Sequence, residues 1–398
     1  MGNKPDNSEN RTIIEKKRRK ALFIATVYTH LANFHIPFIR LLQDKGYEVH
    51  AAASSADGRR EEIEAAGAFC HEIEFSRSPL SIANIKALWQ LVIFLKAQRF
   101  ELIHVHTPIA AFMGRLIAKV TKQGSVLYTA HGFHFYNGAS SLDWLIYFTA
   151  EKIAAGWTDC LIVINEEDFS NAQRLGFKPS KNLFLVNGVG VDVEKYSSLK
   201  DAGAIRKELG LTSNAVVVVC VAELANVKNH GFLLDAWRQL AKKHKDIHLL
   251  LAGTGKDEQK FKSKVKDELI ERVHFLGFRS DVPNVLADSD IAVLASKREG
   301  LPKSLMEAMA AAKPVIATNV RGNRDLVENG RTGLVVGLGD LQGFVKALEK
   351  LISDSRLRLL MGEAGRGKIK SFSLDNVSLE MNRIYDRFLN SERNSDCG

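Results

Sequence analysis

Ala295-Ser-Lys-Arg-Glu299-Gly-Leu-Pro302-Lys-Ser-Leu-Met-Glu307-Ala-Met-Ala-Ala-Ala-Lys-Pro314 is the stretch on which the reading of the chain turns. Upstream of it, Asp290-Ile-Ala-Val-Leu-Ala295 is a short apolar run rich in branched residues, the pattern of a buried strand. Downstream, Pro302 suits a first helical turn, and Ser304–Ala312 is a run of strong helix formers. Pro314 cannot continue a helix, and Val315-Ile-Ala317 opens another strand. The unit is strand, tight loop, helix, strand: one crossover of a parallel sheet.

Two carboxylates stand out. Glu299 falls in the loop at the carboxyl end of the first strand, where open α/β sheets bind ligands. Glu307 follows eight residues later, inside the helix. A pair so placed suits hydrogen bonds to two separate sets of hydroxyls on one extended ligand. Between them, the backbone N–H groups around Leu301–Ser304 and the positive end of the helix favour an anion. A solvated loop Glu and an ordinary surface Glu would show the same spacing, so spacing alone leaves both readings open.

Glu299-Gly-Leu-Pro-Lys-Ser-Leu-Met-Glu307 resembles the E-x7-E element of the family 4 glycosyltransferases, and the intervening residues and flanking strands fit as well as the two acids. The resemblance implies an α/β protein of the GT-B fold, two tandem doubly wound Rossmann-like domains with a cleft between them. It implies retention of anomeric configuration and a nucleotide sugar, UDP-linked, as co-substrate, with no cofactor and no metal. By it, Glu299 binds donor-sugar hydroxyls and Glu307 the ribose. Lys228 and the Gly300, Leu301, Pro302, Lys303, Ser304 segment hold the diphosphate.

The rest of the chain is consistent with two lobes. Strand candidates Ala21–Val27, Glu48–Ala53, Leu102–His106, Val126–Ala130, Cys160–Ile164 and Leu183–Val186 alternate with helical stretches such as Asn33–Lys45, Leu80–Gln98, Ile109–Lys122 and Leu142–Ala155. After the Gly-rich turn Asn187-Gly-Val-Gly190 the alternation restarts, from Val216–Ala222 to Gly333–Val336. The expected division is a basic tail over 1–19, an acceptor domain over 20–187, a linker over 188–203 and a donor domain over 204–371. Residues 372–398 are expected as a helix returning to the first domain, followed by a tail.

Composition narrows the function classes. The 398 residues are 45% hydrophobic and 25% charged, an ordinary globular balance with room for two cores. No stretch reaches the ~18–20 uninterrupted apolar residues that span a bilayer, and the polar first twenty residues do not read as a secretory signal. Cys70, Cys160, Cys220 and Cys397 are dispersed, with no C-x-x-C, which points to a reducing cytoplasm. The net charge of +9 favours an anionic partner without choosing among them. There is neither G-x-G-x-x-G after the first strand nor G-x4-G-K-[ST], against dinucleotide oxidoreductases and P-loop enzymes.

Further constellations align with the resemblance. Glu223-Leu-Ala-Asn-Val-Lys228 resembles the family's R-x4-K element, but has Glu223 where the family commonly has Arg; Arg298 and Arg321 are candidates to supply the missing cation. Phe278 and Arg279 stand where the family reads the base, although a plain βα turn with Asp281 as helix cap fits the same residues. His131, at the end of a strand, resembles the family's first-domain histidine, a catalytic contact to the donor. His30, Asn33 and His134 are acceptor-side candidates. His104-x-His106 resembles a metal pair, but no third ligand is evident in the sequence. Asp288-Ser-Asp290 precedes a strand as a turn and is read as structural, not as a metal site. Ile82–Phe100, with Lys86, Lys96 and Arg99 among apolar residues, fits either a core helix or one resting on an anionic membrane.

The expected protein is a retaining hexosyltransferase of bacterial exopolysaccharide or capsule synthesis, cytoplasmic or peripheral at the inner membrane face. Its partners would be a nucleotide-sugar donor and a polyprenyl-diphosphate-linked glycan acceptor, not nucleic acid. Two rivals stand beside it: a UDP-sugar 2-epimerase, which shares the two-domain architecture, and a non-catalytic nucleotide-sugar-binding scaffold of a polysaccharide assembly complex.

Overall fold

Branched and small apolar runs such as Val216-Val-Val-Val-Cys-Val221 are too apolar for a half-solvated sheet and need cover on both faces. The computed structural model describes residues 19–390 except 57, 198–202 and 269. The expected tail over 1–19 lies outside this range except for Arg19, as do part of the linker and the last eight residues with Cys397.

In the first lobe the strands are β1 (Lys20–Val27), β2 (Glu48–Ser54), β3 (Phe69–Glu72), β4 (Leu102–His106), β5 (Ser125–Ala130), β6 (Cys160–Val163) and β7 (Leu183–Leu185). They pair in the order β3-β2-β1-β4-β5-β6-β7, parallel throughout. The second lobe holds β8 (Val216–Val221), β9 (Ile247–Ala252), β10 (Val273–Gly277), β11 (Ile291–Leu294), β12 (Val315–Thr318) and β13 (Gly333–Val336). These run β10-β9-β8-β11-β12-β13, again parallel. Strand order reverses between β1 and β4 in one sheet and between β8 and β11 in the other. The carboxyl ends beside such reversals are where open α/β sheets bind ligands.

Helices cover both faces of each sheet, and each lobe keeps its own apolar layers. Helix Leu374–Asn390 returns to the first lobe: Val377, Met381, Ile384, Tyr385 and Leu389 pack with β1 and β2 residues. There the Tyr385 hydroxyl meets Nδ1 of His104 at 2.9 Å, while Nε2 of His104 meets Thr129 Oγ1 at 2.8 Å.

Several expectations need correction. The helix expected over Asn33–Lys45 is two, Tyr28–Phe34 and Ile36–Asp44, because Pro37 in the first turn of the second cannot continue the first. β3 escapes a hydrophobicity reading because it is a partly exposed edge strand. Pro302 is the N-cap, with extended backbone at φ −73° and ψ 115°, and the helix runs Lys303–Ala310. Asp281 stands at an N-cap position but caps nothing; its carboxylate takes both Nε and Nη2 of Arg279 at 2.8 Å.

Candidate active site

The loop after β11 and the end of β5 meet where the lobes touch. A Cβ added to Gly300 would lie 1.8 Å from the His131 carbonyl oxygen, so only glycine lets these backbones approach so closely. Arg321 ties the same junction. Its guanidinium donates to Asp168 Oδ1 at 2.6 Å, to the Phe133 carbonyl at 2.5 Å and to the Glu299 carbonyl at 2.9 Å. Arg321 is therefore an inter-lobe fastener, and it also lines the cavity that holds Lys228 and Arg298.

Two cavities open on this junction. One, of about 290 Å³, is lined by Thr107, His131 and His134 from the first lobe and by Lys228, Arg298, Glu299 and Gly300 from the second. The Lys228 ammonium donates to Glu299 Oε1 at 2.7 Å, and Glu299 is only 8% exposed. Arg298 lines the same cavity, its guanidinium 5.8 Å from the Tyr136 ring centre. Glu223 lines the neighbouring cavity, most of whose walls come from the first lobe.

The other cavity, of about 400 Å³, is lined by Phe278, Arg279, Lys303 and Glu307, with Tyr196 and Asn33 among its walls. Glu307 accepts a hydrogen bond from the Tyr196 hydroxyl, and burial raises its pKa above the usual carboxylate range. Phe278 is 75% exposed, a free aromatic face beside Glu307. Arg279 is committed to Asp281 and, at 3.1 Å, to Glu208, so its side chain is spoken for. The segment Gly300–Ser304 joins the two cavities along the chain; Leu301 is buried in the second-lobe core, and no side chain caps the helix that starts at Lys303. Glu299 and Glu307 thus line two cavities with an uncapped helix start between them, an arrangement with room for an extended anionic ligand.

The acceptor-side candidates gather in a third cavity, lined by His30, Asn33, His134, Arg77 and Tyr147. Asn33 Oδ1 accepts from Arg59, its backbone carbonyl lies 3.3 Å from the Lys303 ammonium, and His134 packs 4.7 Å from the Tyr147 ring. Burial lowers the pKa of His134 to about 4. Thr107, at the carboxyl end of β4, adopts φ +62°, an unusual conformation for a β-branched residue, and its hydroxyl meets Thr26 Oγ1 at 2.8 Å. That strained corner lines the first and third cavities alike, and the sequence carried no sign of it.

His106 does find further imidazoles, contrary to its reading as a pair without a third ligand. His30, His35, His106 and His131 each offer a ring nitrogen, and these atoms all lie within 4.8 Å of one another. His35, which follows the first strand with His30 and Asn33 on the acceptor side, thus joins His106 and His131, although nothing in its local sequence marks it as a ligand. Asp288 and Asp290 are structural: Asp288 accepts from the Ile205 and Arg206 amides at 2.7 and 3.2 Å, and Asp290 pairs with Arg206 at 2.8 Å.

Two parallel α/β lobes meeting at such a junction define the GT-B class. Anabaena HepE in complex with UDP-glucose shares the fold, with a TM-score of 0.76 at 20% identity over 92% of this chain and 99% of that one. Residues 201–368 match the family described as Glycosyl transferases group 1, and residues 20–165 match Glycosyl transferase 4-like. The chain is 33% identical over 380 residues to the putative glycosyltransferase EpsD of Bacillus subtilis (strain 168), covering 94% of this chain and 98% of that one. It is 29% identical over 314 residues to the UDP-Gal:alpha-D-GlcNAc-diphosphoundecaprenol alpha-1,3-galactosyltransferase of Escherichia coli, covering 77% and 80%. The chain belongs to the group 1 glycosyltransferases, and it is a glycosyltransferase enzyme.

Proposed function

We propose that this glycosyltransferase moves a hexose, with retention, from a UDP-sugar onto a polyprenyl-diphosphate-linked glycan in exopolysaccharide or capsule assembly. The observation that carries the reading is the Lys228–Glu299 pair at 2.7 Å, beside Arg298 and the uncapped start of helix Lys303–Ala310. On binding, the diphosphate takes Lys228 and Arg298, which frees Glu299 for sugar hydroxyls. Glu307 faces the ribose and Phe278 the base. Two cations and a helix start suffice to stabilise the departing UDP without a metal at the diphosphate. The E. coli relative's name specifies UDP-galactose and a diphosphoundecaprenol acceptor, which supports both halves of the reading.

A thermal-shift panel of UDP-, GDP-, ADP- and TDP-sugars tests the donor site. UDP-sugars are expected to stabilise the protein by several degrees, in chelator as well as without it. Lys228→Ala should lose most of that shift; no stabilisation by any donor would remove the proposal. Incubation without acceptor separates the rivals: an epimerised nucleotide sugar would favour the epimerase. A scaffold predicts polymer synthesis that survives Glu299→Ala in the cell.

The acceptor's lipid implies a membrane, and among the described residues no helix is long and apolar enough to cross one. Helix Ala83–Ala97 buries Ala87, Leu91 and Leu95 in the core, while Ile85, Trp89 and Ile93 form an outward stripe more than half exposed. Helix Ser141–Ala154 adds exposed Leu142, Leu145 and Ile146. Arg77 and Pro79, just before the first helix, and Tyr147 of the second flank the acceptor cavity. The core reading of Ile82–Phe100 accounts for the inner face and leaves the outer stripe uncovered. We place the outer stripe, with Lys96 and Arg99 beside it, on an anionic cytoplasmic bilayer. Trp89→Ser/Ile93→Ser is expected to cut co-sedimentation with anionic vesicles about tenfold, because two apolar anchors of ~1.5–3 kcal/mol each are only partly inserted. Binding unchanged from wild type would refute this placement.

A further inference from the structure

His35 and His106 take no part in the transfer reading, yet with His30 and His131 they form the most concentrated set of metal-binding groups among the described residues. Three separate segments deliver them. His30 and His35 follow β1, His106 ends β4 and His131 follows β5, so they gather at the strand-order reversal of the first lobe. The rings crowd together: His35 and His106 have centroids 3.7 Å apart, and His30 and His131 meet edge to face at 4.7 Å.

Four of their eight ring nitrogens lack partners. Both ring nitrogens of His106, Nδ1 of His35 and Nε2 of His131 are buried with no hydrogen bond, and one ring-to-ring bond joins the set, His35 to His30 at 3.4 Å. His104, two residues before His106, shows the satisfied alternative, with both nitrogens bonded. Neutral imidazoles carry lone pairs, and lone pairs converging in a buried space repel unless something positive lies between them.

We propose that His30, His35, His106 and His131 bind a single divalent ion of the zinc class, tying the segment after β1 to the ends of β4 and β5. Imidazole nitrogen selects zinc and its transition-metal neighbours over magnesium or calcium. With Zn–N near ~2.0–2.1 Å, tetrahedral ligand nitrogens sit about 3.3 Å apart, so the rings close inward by roughly an ångström on binding. Four protein ligands leave no open position for water, so the ion is structural, and His131, which also lines the donor cavity, would face the donor only with the ring nitrogen the ion does not take. It would fix His30 and the neighbouring Asn33 as one wall of the acceptor cavity.

The test uses the full chain purified without a histidine tag. Elemental analysis is expected to find one zinc per chain, retained through gel filtration and removed by prolonged dialysis against chelator. Returning equimolar zinc to the stripped protein should raise Tm by roughly 5 °C. Cobalt in its place should show the intense visible absorption of a tetrahedral site. His106→Gln should hold less than about a tenth of an equivalent, while His134→Asn, outside the cluster, keeps the full one. Because His106 is fully buried, its fold is checked by circular dichroism, and His30→Asn at the cavity edge repeats the test. Purified and stripped protein alike without metal, and no Tm change with zinc or cobalt, would overturn the proposal. Full metal content in both cluster variants would overturn it too.

Discussion

Glu299→Gln is expected to lower kcat/KM about 10²-fold with a UDP-sugar and a lipid-linked acceptor, mostly through kcat. The size follows from the loss of a charge-assisted hydrogen bond to the sugar in a water-poor cavity, worth about 1.5–3 kcal/mol. The amide keeps the shape of the carboxylate, and the carbonyl of residue 299 still accepts from Arg321, so the loop should stay in place. What changes is charge. Lys228 loses the anion it holds at 2.7 Å in the absence of ligand, and should then bind the donor diphosphate at least as readily as before. The donor-induced thermal shift should therefore persist in Glu299→Gln while turnover falls, whereas Lys228→Ala loses the shift itself. Equal loss of both in the glutamine variant would mean that Glu299 serves only to anchor Lys228.

How much of this was legible follows from which residues speak locally. The strands of both sheets announce themselves as short branched runs because they are covered on both faces, and the crossover around Glu299–Glu307 carries its own punctuation in Pro302 and Pro314. β3 was silent because it is a partly exposed edge. The break at His35 was readable from Pro37, but the helical composition on either side masked it. Lys228 and Glu299 were found one at a time; their pairing spans 71 positions and belongs to the fold. Arg321 illustrates the same limit more sharply. As a cation near the motif it reads as a candidate phosphate ligand, and only the approach of the other lobe shows that three of its donors also fasten the two lobes together. The four imidazoles come from three sequence segments, and no local spacing encodes their convergence.

Arg321→Met is expected to destabilise the protein by about 3–5 kcal/mol, because it strands the Asp168 carboxylate in a site from which water is excluded. The pair is 2.6 Å apart, with side chains 3% and 0% exposed. Asp168 also accepts from Asn165 Nδ2 at 2.8 Å and from the Phe133 amide at 3.2 Å, so the polar set is satisfied only while both partners stay. Urea unfolding should show a lower midpoint, and Asp168→Asn should resemble it, since it leaves a buried cation instead. Arg321→Met/Asp168→Leu should recover a large part of the loss, because replacing both charges removes the desolvation penalty that either single change exposes. Activity should not recover with stability. Arg321 also holds the Glu299 carbonyl at 2.9 Å, and Asn165 holds the Gly300 carbonyl at 3.2 Å, so this polar knot fixes the loop that carries the proposed sugar-binding carboxylate. A double variant restored in stability but still well below wild type in kcat would assign the knot to positioning Glu299 across the lobe boundary. Recovery of both together would confine Arg321 to holding the fold.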